Sequence, residues 1–291
     1  MEKIISKRLQ IWGYLNLNQK IDHALATMEK YEKEMKKEAY ISFSGGRDST
    51  VLLDLARRYY RKDILAVFCN TGNEHPEIVR FVRNTDNVRI IYPEMRLSEI
   101  IEKYGFPVIS KEVSQNIWRM RHGKKCVAIP DKYKYLFFEK YEVSNICCKI
   151  LKKDPFKKFQ KETGMIPIIG TKAFDSQMRR FAYYKRGGCN SFSKQNPVSA
   201  PLSIWKDKDI EEYIQRYNVQ ICDLYTKENY KRTGCMLCGF GVNNYDRDRF
   251  EKIKEKHPRV YEQLYEIKNN GVSYYEVIEK LLKLEDYGKR K

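Results

Sequence analysis

The chain has 291 residues, of which 42% are hydrophobic, and it carries a formal net charge of +18 at pH 7. Its mean hydropathy is −0.67, and no apolar run approaches the roughly 18 residues of a membrane span or forms a secretory leader, so we expect a cytoplasmic protein of one large or two small domains. The excess of lysine and arginine favours an anionic partner such as a nucleotide or a nucleic acid. Solvated, lysine-rich helices would produce the same charge.

Helix and strand patterns alternate through the first 175 residues. Apolar residues at helical spacing predict helices, and short apolar runs predict strands. The predicted helices span 17–37, 50–61, 76–85 and 98–104, and the predicted strands span 38–43, 64–69, 88–92 and 166–171. From about residue 200 the pattern is helical, with helices at 207–217, 247–265 and 273–284. This order predicts an α/β protein with a doubly wound, mostly parallel sheet and a helical C-terminal part.

The stretch YISFSGGRDST, residues 40–50, joins a predicted strand to a predicted helix through a glycine-rich turn. A helix start offers unpaired N–H groups and the positive end of its dipole, and two glycines let the backbone approach an anion closely. Three hydroxyls add donors, an arginine adds charge, and an aspartate fits such a site if it binds a cation such as Mg²⁺. The predicted phosphate site comprises Ser44, Gly45, Gly46, Arg47, Asp48, Ser49 and Thr50.

Two cysteine pairs stand far apart in the chain. Cys147 and Cys148 are adjacent, and Cys235 and Cys238 form a CxxC knuckle flanked by glycine. Without an export signal, such cysteines are expected to be metal ligands, catalytic groups or buried thiols rather than disulfides. Four thiolates suit either zinc or a [4Fe–4S] cluster, and free buried thiols are a third interpretation. The scattered cysteines are interpreted as structural: Cys69, Cys126, Cys189 and Cys222.

Several of these segments resemble one protein superfamily. The SGGRDS loop is similar to the SGGxDS loop of the PP-loop pyrophosphatases, the adenine nucleotide α-hydrolases. FCNTGNEHPE, residues 68–77, resembles the DTG…PE segment of the phosphoadenosine phosphosulfate (PAPS) reductase branch, with Asn70 in place of the usual aspartate. GTKAFDSQMR (170–179) resembles the second phosphate-facing loop of the family, and PLSIW (201–205) its entry to a helix.

This resemblance covers roughly residues 38–240 and implies a Rossmann-like, adenine nucleotide α-hydrolase-like fold. It implies a nucleotide-binding domain at 38–240, between an N-terminal helical extension (1–37) and a C-terminal helical segment (241–291). It also implies that Mg-ATP is bound and cleaved between its α- and β-phosphates. The implied catalytic residues are Arg47, Asp48, Lys111 and Arg179, and the implied nucleotide contacts beyond the loop are Asn70, Thr71, Gly72, Gly170 and Thr171.

The CC…CxxC layout resembles the cluster-binding cysteines of the iron–sulfur adenylylsulfate reductases. The resemblance implies a [4Fe–4S] cluster, with zinc as the alternative, on Cys147, Cys148, Cys235 and Cys238. The reductases of the family use one more cysteine on a C-terminal tail, to attack the sulfate sulfur, and no cysteine follows Cys238 here. The intact glycine-rich loop also favours ATP over a nucleotide that lacks a β,γ-diphosphate.

We therefore expect an enzyme that adenylates a substrate for sulfur transfer, as the tRNA thiolation and DNA phosphorothioation enzymes of the superfamily do. The implied partners are DNA or tRNA and a sulfur donor such as a cysteine desulfurase, and a homodimer is compatible with this picture. Two alternatives stay open. One is a PAPS or adenylylsulfate reductase whose thiol comes from Cys69, Cys189 or a partner, and the other is a non-catalytic nucleic-acid-binding module. The basic stretch 117–126 is interpreted as a nucleic-acid grip or a solvated helix face.

Overall fold

The computed structural model describes residues 2–228, 230, 233–242 and 248–288. The chain forms two structural units, each built from three segments. The first unit comprises Met1–Cys69, Pro76–Ile91 and Phe156–Thr233, and the second comprises Asn70–His75, Tyr92–Pro155 and Gly234–Lys291. No helix among the described residues is both long enough and apolar enough to cross a membrane.

The strands are mostly short. In chain order they are β1 (Ala39–Ser42), β2 (Ala66–Cys69), β3 (Val88–Ile91), β4 (Val108–Ile109), β5 (Ile166–Ile169), β6 (Asn190–Ser191), β7 (Val198–Ser199), β8 (Gly239–Phe240), β9 (Lys268–Asn269) and β10 (Val272–Ser273). The helices are α1 (Glu2–Trp12), α2 (Leu17–Met35), α3 (Arg47–Tyr59), α4 (Pro76–Arg83), α5 (Leu97–Tyr104), α6 (Lys111–Arg121), α7 (Asp154–Thr163), α8 (Gln177–Arg186), α9 (Asp207–Tyr217), α10 (Asp223–Thr226), α11 (Arg249–Lys256), α12 (Pro258–Glu266) and α13 (Tyr274–Gly288).

The first unit is built on one sheet with the strand order β3-β2-β1-β5-β7-β6. All of its pairings are parallel except that of β6 with β7. From β1 the chain proceeds outward through β2 and β3 on one side, and later through β5 and β7 on the other. The strand order therefore reverses beside β1, and such a switch point is where open α/β sheets bind ligands. The predicted α/β fold with a mostly parallel sheet is confirmed.

Alternate residues of β1 pack on opposite faces of this sheet, as the pleat requires. Ile41 joins the larger core, which includes residues of α2, α3 and α9. Tyr40 lies on the other face with Val67 and Phe159, the latter from α7. Because helices cover both faces, β1 reads as a nearly continuous apolar run in the sequence.

A buried ion pair fixes helix α2 against the start of α9. The Lys20 side chain is fully buried, and its Nζ donates to Asp209 Oδ2 at 2.6 Å and to the Gly13 carbonyl at 3.1 Å. The same Asp209 oxygen accepts the Lys206 backbone N–H at 2.6 Å, which satisfies a donor at the helix start. The pair thus holds the first turn of α9 in place.

The second unit has a separate core, formed mainly by α5, α6 and the helices after residue 248. Its strands form two small sheets, β4 with β8 in parallel and β9 with β10 antiparallel. The single helix predicted for 247–265 is wrong, because α11 ends at Lys256 and α12 begins at Pro258. Proline lacks an N–H and disfavours the helical conformation in the residue before it, and His257 accordingly has φ −134° and ψ 58°.

Candidate functional site

A glycine-rich turn connects β1 to α3 in the first unit. Helix α3 has Gly46 as its N-cap, and no side chain caps it. The N–H groups of its first turn therefore face outward with the positive end of the helix dipole. Gly45 has φ +69°, and a Cβ there would lie 2.9 Å from Ile78 Cγ2. Only glycine fits this position, which explains one of the two glycines in the motif.

The hydroxyls of the loop hold its shape. Ser44 Oγ lies 3.0 Å from Ser49 Oγ, and Ser49 Oγ donates to the Gly46 carbonyl at 2.9 Å. Thr50 Oγ1 donates to the same carbonyl at 3.0 Å. Ser49 and Thr50 are also buried. The sequence predicted these hydroxyls as ligand donors, and here their hydrogen bonds tie the turn to the first turn of α3.

An open cleft of about 890 Å³ lies at the carboxyl ends of β1 and β5, within the first unit. Such a volume is in the range of pockets that bind small ligands. Of the predicted residues, Ser44, Gly46, Arg47, Asp48, Ser49, Gly170, Thr171 and Arg179 line it. Nine further lining residues were not predicted as site residues, although Lys172 and Asp175 lie in the 170–179 segment that resembles a phosphate-facing loop: Ser42, Ile169, Lys172, Asp175, Asp207, Glu211, Tyr225, Tyr230 and Thr233.

Gly170, at the end of β5, lies directly against the start of α3. A Cβ on this residue would be 3.1 Å from the Asp48 carbonyl oxygen and 3.1 Å from the Ser49 nitrogen. Such contacts with backbone atoms are closer than a side chain normally allows. Gly170 therefore lets two loops of the cleft approach each other.

We predict that Gly170→Ala raises the dissociation constant for ATP, the nucleotide that the loop resemblance implies, about tenfold. The new methyl group would push the first turn of α3 by a few tenths of an ångström, and binding sites are sensitive to such shifts. The measurement is a binding titration with labelled ATP. The matched control is Gly234→Ala, since a Cβ at Gly234 meets no atom within 4 Å. An unchanged dissociation constant in Gly170→Ala would contradict the prediction.

Lys172 is the most constrained charged group in the cleft. Its side chain is only 3% exposed, and its Nζ contacts Asp48 Oδ1 at 2.8 Å, Asp207 Oδ1 at 2.6 Å and Asp175 Oδ1 at 3.4 Å. One ammonium thus pairs with three carboxylates from three different segments. Lys172 lies in the 170–179 segment that resembles a phosphate-facing loop, but its pairing was not predictable, because its partners converge only in the fold.

Two arginines flank the cleft and are more exposed than Lys172. Arg47 Nη1 lies 3.6 Å from Glu211 Oε1, and its guanidinium stands 5.7 Å from the centre of the Tyr225 ring. Arg179 pairs with Asp175. Tyr225 hydrogen-bonds Thr233 Oγ1 at 2.5 Å, and burial raises the pKa of its hydroxyl. The cleft therefore combines two carboxylate-paired arginines with a neutral phenol.

The second unit brings together the four cysteines that the sequence proposed as ligands. Cys147, Cys148, Cys235 and Cys238 all line one small cavity of about 20 Å³. Cys147 and Cys148 immediately precede a π-helical turn, Lys149–Lys153. Such turns are frequent at functional sites. The fold thus brings together two cysteine pairs that are separated by 86 residues in the chain. Four cysteine thiolates are a donor set that suits a bound metal.

Asn73 positions the CxxC knuckle. Its carbonyl accepts the Met236 N–H at 2.7 Å, and its Oδ1 accepts the Leu237 N–H at 2.9 Å. The knuckle closes with a hydrogen bond from Cys238 N–H to the Cys235 carbonyl at 3.3 Å. Asn73 was not among the predicted site residues, although it lies in the FCNTGNEHPE segment.

The thiols of this cluster have unequal proton affinities. A hydrogen bond from Cys147, helped by Lys111 and Lys152, lowers the pKa of Cys148 to about 6, whereas the same bond and burial raise the pKa of Cys147. Burial raises the pKa of Cys235 and of Cys238. For Lys152, burial opposes the charge, but Cys235 and Glu74 outweigh it and raise its pKa. The side chains of Lys111 and Lys152 therefore lie close to the thiols of this cavity.

Besides the four cysteines, four residues predicted for the nucleotide site belong to this second unit, namely Asn70, Thr71, Gly72 and Lys111. Lys111 begins α6 and lies beside Cys148. Thr71 donates from its N–H and its hydroxyl to the Glu74 carboxylate, at 2.8 Å each, and the Gly72 N–H donates to Asn70 Oδ1 at 3.0 Å. A role for these four residues in nucleotide binding stays a prediction.

Three of the scattered cysteines are buried, namely Cys69, Cys189 and Cys222, and Cys126 is partly buried. Burial raises the pKa of Cys189 to about 12. A thiol with so high a pKa carries almost no thiolate at neutral pH, so Cys189 is a poor nucleophile.

We predict that Cys189 makes the free energy of unfolding fall as pH rises from 9 to about 12. In this range the folded state keeps a proton that the unfolded thiol has lost, so the slope reaches about −1.4 kcal/mol per pH unit. Urea denaturation of wild type and Cys189→Ala across this range isolates the contribution. The variant should show the shallower decline, and parallel pH profiles would refute the assignment.

The chain was compared with known proteins. The family model of the phosphoadenosine phosphosulfate reductase domain matches residues 38–239. An uncharacterised protein of Methanocaldococcus jannaschii is 28% identical over 248 residues, which are 83% of this chain and 45% of that protein. The chain therefore spans less than half the length of this curated relative.

Solved structures were also compared. A PAPS reductase from Candida auris in a phosphate complex is 18% identical, with 74% of this chain and 93% of that chain covered and a TM-score of 0.43. An FMN adenylyltransferase from Candida glabrata in complex with ATP is 13% identical (80% and 69% covered, TM-score 0.45). A U34-tRNA thiolase from Methanococcus maripaludis with its [4Fe–4S] cluster is 12% identical (89% and 80% covered, TM-score 0.39). Because the family model spans well over half of its residues, the chain belongs to the phosphoadenosine phosphosulfate reductase domain family.

Proposed function

We propose that this chain is an enzyme that cleaves ATP between its α- and β-phosphates to activate a substrate, and that the activated substrate is a nucleic acid receiving sulfur. The observation that carries the proposal is the cleft of the first unit, where an uncapped helix start meets a buried lysine and two arginines. Backbone N–H groups and cations converging on one cleft suit a polyphosphate.

The chemistry at this cleft would be a displacement at phosphorus. An oxygen of the acceptor attacks the α-phosphorus, the bond from that phosphorus to the α,β-bridging oxygen breaks, and pyrophosphate leaves with the electron pair. With a base carbonyl as acceptor, the ring N–H loses its proton to solvent, whereas a phosphodiester oxygen is already ionised. In either case the acceptor oxygen retains the AMP group. The first-turn N–H groups of α3 would hold phosphate oxygens, and Lys172, Arg47 and Arg179 would offset the charge that develops on the leaving group.

Two cofactors fit the residues present. The carboxylates of Asp48 and Asp207, at the edge of the cleft, are the oxygen ligands that Mg²⁺ prefers, and the ion would neutralise phosphate charge. Cys147, Cys148, Cys235 and Cys238 would hold a [4Fe–4S] cluster, which would supply an iron site for sulfur chemistry. Zinc is the alternative for the same four thiols.

The test is to incubate the protein, prepared anaerobically, with Mg-ATP and candidate acceptors such as tRNA and DNA, and to measure pyrophosphate and AMP. We expect pyrophosphate and an AMP-bearing acceptor from this incubation, and free AMP when sulfide is added and displaces it. We expect α,β-methylene-ATP to bind without releasing either product. The proposal fails if ATP does not bind and if no acceptor yields pyrophosphate or AMP.

A second candidate is reduction of PAPS or adenylylsulfate, which the family membership favours. This reaction needs a nucleophilic thiolate, and the burial of Cys69 and Cys189 makes them poor candidates for it. Release of sulfite from either sulfonucleotide, with thioredoxin as reductant and under anaerobic conditions, would establish this activity. Release of pyrophosphate without sulfite would favour the first candidate.

A further inference from the structure

A basic and aromatic surface lies in the second unit, between the end of α6 and the chain that follows it. We call residues 118–140 the aromatic–basic surface. This segment contains seven lysines and arginines but only two acidic residues, Asp131 and Glu139. The local excess of positive charge is larger than in the chain as a whole, and it accompanies an unusual number of aromatic side chains.

Arg121 stabilises the conformation of this segment through hydrogen bonds to its backbone carbonyls. Its guanidinium donates to the carbonyl oxygens of Leu136 at 2.6 Å, Glu139 at 2.8 Å and Tyr141 at 2.7 Å. It also pairs with Glu142 at 3.3 Å, and its side chain is only 10% exposed. Arg121 is therefore a structural group, which the sequence-based interpretation of 117–126 as one basic grip did not distinguish. It ties the end of α6 to the segment around residue 138.

Aromatic rings and lysine ammonium groups lie side by side in this segment. His122 is exposed and stacks on Trp118 at a centroid distance of 4.3 Å and an interplanar angle of 24°, and Lys124 Nζ stands 4.7 Å from the centre of the Trp118 ring. Phe138 is 82% exposed. Large aromatic side chains this exposed, next to lysines, are typical of binding surfaces.

The chemistry of these groups selects the partner. Lysines attract the phosphate backbone of any nucleic acid, but exposed rings gain contact only with bases that are unpaired and free to stack. A duplex buries its base faces, so it would use the lysines alone. An acidic protein surface would supply carboxylates for the lysines but few exposed planar groups for the rings, since large aromatic side chains are mostly buried.

Helix α6 extends from the cysteines to the aromatic–basic surface. Lys111, at the start of α6, lies beside Cys148, and Trp118 is seven residues further along the same helix. At 1.5 Å per residue this separation along the axis is about 10 Å. A strand held on the aromatic–basic surface would therefore lie near the thiol cavity of the same unit.

We propose that residues 118–140 bind single-stranded nucleic acid, with Lys124 and Lys125 contacting phosphates and with His122 and Phe138 stacking on bases. This inference deepens the proposed function and rests on it in one respect, namely that the acceptor of sulfur is a nucleic acid. The binding itself does not depend on ATP turnover.

The experiment measures fluorescence anisotropy of a labelled, unstructured RNA with the full chain, and of DNA of the same sequence and the matching duplex, over a series of salt concentrations. The variants are Lys124→Glu with Lys125→Glu, and Phe138→Ala. The matched control is Lys33→Glu with Lys37→Glu, which makes the same charge change at exposed positions of the first unit. Urea midpoints establish that each variant is folded.

We expect the 124/125 variant to bind single strands at least tenfold more weakly and to lower the magnitude of the salt slope by about 1.4, since each phosphate contact contributes about 0.7. Phe138→Ala should weaken binding about tenfold and leave that slope unchanged. The inference is overturned if both variants bind like wild type, if the control loses as much affinity, or if the duplex binds as tightly as the single strands. Strand binding by a protein that releases no pyrophosphate would support this surface and refute the proposed function.

Discussion

Replacement of Lys172 by methionine is expected to lower the rate of pyrophosphate release from ATP about a hundredfold or more. Lys172 is the buried cation of the cleft, and removing one preorganised charge or donor from a reacting centre has an effect of this size. Methionine has a similar length but no charge, so Asp48 and Asp207 would lose the ammonium group that contacts both of them. The effect should appear in kcat/KM, measured by coupled detection of pyrophosphate.

Two variants separate this effect from a loss of structure. Lys208→Met is the matched control, because Lys208 is exposed on α9 and does not line the cleft. Lys172→Arg keeps the charge and should retain more activity than Lys172→Met. The free energy of unfolding of Lys172→Met should fall by about 1–3 kcal/mol, since Asp175 keeps its pairing with Arg179. An active Lys172→Met protein would remove Lys172 from the proposed mechanism.

Replacement of Cys235 by serine is expected to abolish the bound metal centre. The proposed cubane cluster would bind all four thiolates, and each cysteine pair on its own supplies only two of them. Anaerobically purified wild type should be brown and contain about four iron and four sulfide per chain, whereas the variant should be colourless. Iron and acid-labile sulfide analysis measures this directly.

Cys126→Ser serves as the control for this prediction, because Cys126 belongs to the same unit but does not line the cavity. It should keep the full iron and sulfide content. Zinc without sulfide in the wild type would replace the cluster with a structural zinc site. Iron retained in Cys235→Ser would show that the centre lies elsewhere.

The parallel sheet was predictable because its strands carry a local signal. The strands β1, β2, β3 and β5 are apolar runs bounded by polar or turn residues, and the predicted ranges contain all four of them. The strands β4, β6, β7, β8, β9 and β10 are only two residues long. Their pairing depends on tertiary contacts rather than on periodicity, so no local pattern predicts them.

Some residues of the candidate site were likewise predictable from the sequence, and others were not. The glycine-rich loop and the cysteine pairs were identifiable because their residue types and spacing carry the chemistry. Lys172 and Asn73 were missed, since each acts through partners that are distant in sequence. Arg121 is the opposite case. It lies in a basic stretch, and nothing in the sequence indicated that its guanidinium binds backbone carbonyls of the same protein. Burial and pairing of individual polar groups are properties of the fold.

The interleaved arrangement of the two units limits how this protein can be cut or rearranged. The polypeptide passes from one unit to the other five times, at residues 69/70, 75/76, 91/92, 155/156 and 233/234. A gene fragment that encodes one uninterrupted stretch therefore supplies neither unit in full, and limited proteolysis at a single loop should not liberate an autonomous piece. Each unit must also close long chain segments before its core forms, which favours slow folding.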